Sequence, residues 1–136
     1  MVIVIGGLSF LLIIGMFVNS LRDGGTTNNI EGGIFQDSNE VLNILNEDLL
    51  GISQKSQDEI FIVVERYSNT YGTQSLSPEE QQLFDEIGRL VIYYGEYYSS
   101  SGSNEYSQMN YSRDMYGKFL EQRQVLKQQF GLKYTQ

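Results

Sequence analysis

Apolar and polar positions divide the chain into three stretches. Residues 1–21, MVIVIGGLSFLLIIGMFVNSL, are dominated by apolar side chains and carry no charge. As a helix this run spans about 30 Å at ~1.5 Å per residue, the thickness of a bilayer's hydrocarbon core. It has no polar face to turn towards water, so it predicts a membrane span or the centre of an oligomer. Residues 23–36, DGGTTNNIEGGIFQ, lose that pattern, and their two Gly-Gly pairs with Thr and Asn predict a flexible tether. Beyond them apolar residues return at helical spacing.

Three or four helical stretches are expected there, depending on whether the first two are one bent helix or two. The first starts near Asp37, where Asp37 and Glu40 have capping-box spacing, and buries Leu42, Leu45, Leu49 and Ile52. A break or kink over Gly51 to Ser56 separates it from the second, which Ser56 and Glu59 would cap and which carries Ile60, Phe61, Val63, Val64 and Tyr67. Ser77-Pro78-Glu79-Glu80 is the clearest local signal in the chain, with Ser at the cap, Pro in the first turn and Glu three residues on. The helix it opens presents Leu83, Ile87, Leu90, Tyr94 and Tyr97 as a packing seam. After a Gly/Ser turn over 99–103, a last helix runs to about Phe130 with Met109, Tyr116, Phe119, Leu126 and Phe130 on one side, and Gly131-Leu132 fits a left-handed cap. No stretch alternates long enough to be a strand. The expectation is an all-α protein: a hydrophobic anchor helix over 1–22, a tether over 23–36, an acidic bundle of three or four helices over 37–132, and a tail over 133–136.

The anchor reading has a competitor. Val18-Asn19-Ser20 could serve as a signal-peptide cleavage site, but no Lys or Arg precedes the apolar run, and such a leader wants a positive start. The segment is therefore expected to be retained, meeting membrane lipid or neighbouring apolar helices through residues 1–21. Gly7 and Gly15, with Phe10, Leu11 and Ile14 between them, form its candidate helix-packing face. Arg22 alone says little about orientation. The Ser-, Asn-, Gln- and Tyr-rich, cysteine-free remainder favours an extracytoplasmic head on a single-pass membrane protein.

Charge sharpens this picture. The net charge of -8 argues against nucleic acid, since phosphate binding needs a basic face. Residues 36–100 hold 12 acids against 3 bases, whereas 101–136 hold 3 acids against 5 bases. A mildly basic last helix is thus expected to dock on the acidic ones before it. With no histidine and no cysteine, imidazole bases, thiol nucleophiles and the usual zinc, copper and haem ligands are missing. The acidic pairs Glu47-Asp48, Asp58-Glu59, Glu79-Glu80 and Asp85-Glu86 diverge by about 100° around a helix and read as solvated faces. No enzyme, cofactor or metal site is expected.

Tyrosine is the unusual feature, ten residues in all, seven of them between Tyr93 and Tyr116. Its flat ring and polar tip suit an interface that is wet at its edge. Tyr94 and Tyr97 belong to the seam. Tyr93, Tyr98, Tyr106 and Tyr111 are the candidates for contact with a protein partner or a second copy. The expected function is a non-enzymatic structural or accessory subunit, anchored by its apolar helix and binding through a Tyr-rich head. The alternative is a filament subunit in the extracellular space: an apolar N-terminal helix before a polar head resembles the plan of type IV pilin-like proteins. That resemblance covers about the first twenty residues, and it would imply an apolar helix packed in the polymer core. Position five is Ile5 where bacterial pilins carry glutamate, and the head lacks the strand signals most pilins show.

Overall fold

The computed structural model describes residues 33–102 and 104–136, which form four helices and, among the described residues, no strand. They are α1 (Gly33–Leu49), α2 (Gln57–Gly72), α3 (Pro78–Ser100) and α4 (Tyr106–Phe130). Together they make a small helical bundle. The anchor residues Gly7, Phe10, Leu11, Ile14 and Gly15, and most of the tether, lie outside the described residues. No described helix is long and apolar enough to cross a membrane.

Helix α3 is the centre of the bundle. Leu83, Ile87, Leu90 and Tyr94 are fully buried along the predicted seam, and Phe84 and Val91 widen it. That wide apolar face serves two neighbours, α4 on one side and α1 on the other, while α2 packs on α1. Helix α4 runs antiparallel to α3: Gln122 meets Glu86 near one end of the pair, and Tyr116 meets Tyr97 near the other. On α4 the buried positions are Ser112, Met115, Phe119, Gln122 and Leu126, at alternating spacings of three and four. Met109, expected on that face, is 48% exposed instead. It lies in the first turn of α4, where residues 104–109 are all exposed and α3 has already ended.

The caps are formed where local sequence places them. Glu80 N–H donates to Ser77 Oγ at 3.2 Å and Ser77 N–H donates to the Glu80 carboxylate at 3.0 Å, with Pro78 as first helical residue. Ser56 caps α2 with its side chain alone, accepting from Glu59 N–H. Helix α1 stops because Gly51 takes a left-handed conformation, φ 75°, with Ile52 N–H returning to Glu47 carbonyl at 3.0 Å. Ile52, expected in the buried stripe, is therefore in the loop and 55% exposed. At Gly131, φ 75°, the N–H returns to Lys127 carbonyl at 3.0 Å and Leu132 is fully buried.

Among the described residues α1 already includes Gly33, four residues before Asp37 and inside the stretch read as tether. Ile34 explains this: with Ser38, Val41 and Leu45 it extends the buried stripe one turn upstream at spacings of four, three and four. Asp37 does not cap. It sits inside the helix, and its carboxylate accepts the Tyr71 hydroxyl at 2.5 Å. Residues 132–135, read as the domain's edge and tail, pack back on α1.

Candidate functional site

The densest polar cluster joins three helices at one carboxylate. Asp48 lies in the last turn of α1, where the dipole leaves partial negative charge and disfavours an acid. Three donors converge on its Oδ2: the Tyr94 hydroxyl at 2.6 Å, the Tyr98 hydroxyl, and Gln57 Nε2 at 3.2 Å. Tyr94 and Tyr98, four apart, share one face of α3, and Gln57 opens α2. Gln57 Nε2 also reaches the Tyr94 oxygen at 3.2 Å. The rings extend the cluster outward, Tyr94 to Tyr98 at 4.8 Å, Tyr98 edge-on to Tyr97 at 5.6 Å, and Tyr97 to Tyr116 at 5.6 Å.

Ionisation is suppressed there. Burial pushes the Tyr94 hydroxyl well above its ordinary value, and donation to Asp48 pushes it further. The same two causes, with the negative charge of Asp48, raise Tyr98 to about 12. A nucleophilic or basic tyrosine needs the opposite shift. These phenols are donors that hold a carboxylate.

A second cluster ties α1 to α2. The Tyr67 hydroxyl is 2.7 Å from Ser38 Oγ, and Tyr67 packs on Tyr71 and on Phe84 of α3 at ring separations of 5.1 and 5.6 Å. Burial, then the bond to Asp37 and its charge, raises Tyr71 to about 12. The neighbouring cavity, lined by Asp37, Glu40, Arg66, Tyr67 and Thr70, holds about 60 Å³. That is room for water but far below the ~300 Å³ where metabolite pockets begin.

The four tyrosines expected to meet a partner do not form one surface. Tyr98 is committed to Asp48. Tyr93 packs half-buried against the core with Lys118 Nζ 6.0 Å from its ring centre. Tyr106 is 79% exposed, and Tyr111, 41% exposed, donates to Glu96 at 3.1 Å. Five residues apart on α4, Tyr106 and Tyr111 point about 140° from each other. The neighbour that does share the Tyr106 face is Met109, three residues on.

Among the acidic pairs, Asp48 and Asp85 are not solvated as expected. Asp85 is buried and accepts Gln81 Nε2 at 2.8 Å. Among the described residues no group of three or more acids is placed to hold a metal ion. Asn39, Asn43 and Asn46, unremarkable in the sequence, hold the segment after α4 with their side chains. Their spacing of four and three was the available signal. Comparison with known proteins finds no match among family models, curated proteins or solved structures.

Proposed function

We propose that this chain is a non-enzymatic structural or accessory subunit of a larger assembly, anchored in a membrane by residues 1–22 and meeting protein partners through its helical head. The observation that carries the reading is the pairing of Tyr106 and Met109, both exposed and on one face of the first turn of α4. Aromatic and Met side chains are the types enriched at protein contacts, and here neither packs on the core. Tyr111 flanks them. Tyr93 and Tyr98 act differently, stiffening α3 so that the α3–α4 tip is presented on a rigid frame.

The uncharged run of residues 1–21 supports the anchor, and the acidic, Tyr- and Ser-rich head supports an extracytoplasmic position. The test is extraction of the full chain in mild detergent, with its mass and co-purifying chains read by gel filtration and mass spectrometry. A stoichiometric complex with unrelated membrane proteins, lost in a Tyr106→Ala, Met109→Ala variant that stays folded, is the expected result. A large homopolymer that survives without detergent points to the pilin-like filament instead. A lone detergent-bound monomer overturns both.

A further inference from the structure

After Gly131 the chain leaves α4 and runs beside α1, and side chains of α1 grip its backbone. Asn39 makes a two-point contact with residue 133: its Oδ1 accepts Lys133 N–H at 2.8 Å and its Nδ2 donates to Lys133 carbonyl at 3.1 Å. Asn43 Nδ2 donates to the same carbonyl at 2.8 Å, and Asn46 Nδ2 donates to Thr135 carbonyl at 2.6 Å. From Asn39 to Asn46 a helix rises about 10 Å, and two residues of chain cover ~7 Å only when extended. The asparagine ridge therefore reads an extended main chain, independently of which side chains it carries.

The alternate side chains are read elsewhere. Leu132 is fully buried in the core, and the Tyr134 ring lies under the Arg123 guanidinium at 4.8 Å with Lys127 Nζ at 5.9 Å. Arg123 also donates to Asn46 Oδ1 at 2.7 Å, which joins the ring seat to the asparagine ridge. Main-chain bonds for affinity and pockets for every second side chain are the physics by which proteins bind extended peptides. The seat is imperfect in one respect. Tyr134 Oη and Arg123 Nε are buried without a hydrogen-bond partner among the described residues, which weakens closure.

We infer that the seat on α1 and α4 is an exchangeable binding site for an extended Leu-x-Tyr segment, filled here by residues 132–135 and able to take the same segment from a second copy. Exchange conserves every contact, because the incoming segment is identical and only the turn at Gly131 changes. Gly131 suits that role: its positive φ needs no side chain, and the space around it is open. The inference goes beyond the anchored-subunit reading and stands with or without a membrane anchor.

The probe is a fluorescent synthetic peptide spanning residues 131–136, titrated onto the full chain bearing Tyr134→Ala, which weakens the resident segment. Saturable binding is expected, about tenfold or more weaker when Asn39→Ala and Asn43→Ala are added. It should also be weaker on the unaltered chain, whose own segment competes at high effective concentration. A folded Tyr134→Ala chain that binds no peptide overturns the proposal, and so does binding that ignores the two asparagines. Should Tyr134→Ala fail to fold, hydrogen exchange of the unaltered chain decides. Exchange of the Lys133 amide well ahead of the Phe119 and Leu126 amides supports independent opening, whereas release only on global unfolding overturns it.

Discussion

Asp48 shows how one side chain can oppose its own helix and still hold a fold together. At the end of α1 the macrodipole works against a carboxylate by about 0.3–1 kcal/mol. Two phenols and an amide more than offset this, because hydrogen bonds to a charged acceptor contribute about 1.5–3 kcal/mol. Asp48→Ala takes away the carboxylate to which the buried Tyr94 hydroxyl donates, and the expected loss is about 2–3 kcal/mol, read as a lower midpoint in urea. Asp48→Asn keeps one acceptor oxygen and should lose less. The same phenols make the protein sensitive to base. An unfolded tyrosine ionises near 10, while Tyr71 and Tyr98 keep their protons to about 12, and Tyr67 and Tyr94 are pushed higher still by burial. Below pH 10 both states hold the proton and this stability is fully present. As pH climbs from 10 through 12 the unfolded chain releases protons that the folded chain keeps, so stability falls. Thermal melts across that window should show a steep decline.

At the scale of the element, the glycine that caps α4 and the one inside it carry opposite expectations. Gly131 sits at φ 75°, where a Cβ is strained even though nothing crowds it, so Gly131→Ala should destabilise by about 1 kcal/mol. Gly117 lies inside the same helix with open space where a Cβ would go, so Gly117→Ala should stabilise by about 0.5–1 kcal/mol through lower backbone entropy in the unfolded chain. Parallel urea titrations compare the two directly. The caps at Ser56, Ser77 and Gly131 were legible in the sequence because a cap is a local event, settled within a few residues. The start of α1 was not, because Gly32-Gly33 reads as tether until Ile34 is seen in the core and Asp37 on Tyr71. Asn39, Asn43 and Asn46 had helical spacing in plain view. Asparagines on a helix look like any solvated face, and it is the return of residues 132–135, with Arg123 beside Asn46, that gives them partners across the fold.

For the whole molecule, charge and packing make different demands, and salt separates them. The net charge of -8 is concentrated in residues 36–100, so α1, α2 and α3 repel one another while sharing one core. The sequence suggested that basic α4 is held by attraction to these helices. The structure gives its cations other work: Arg123 is spent on Asn46 and the Tyr134 ring, Lys118 lies over Tyr93, and Gln122, a neutral side chain, reaches Glu86 at 2.6 Å. Phe119 and Leu126 supply the buried contact instead. The ion pairs Arg66–Glu40 and Arg89–Glu86 are at the surface or partly so, and pairs of that kind contribute about 0–1 kcal/mol. Added salt therefore screens more repulsion than attraction, since at about 0.1 M charges more than ~10 Å apart cease to feel one another. The melting temperature should rise by roughly a few degrees between low salt and about 0.5 M sodium chloride, a shift that calorimetry reads directly. A fall over the same range would mean that charge, and not Phe119 and Leu126, fastens α4 to the bundle.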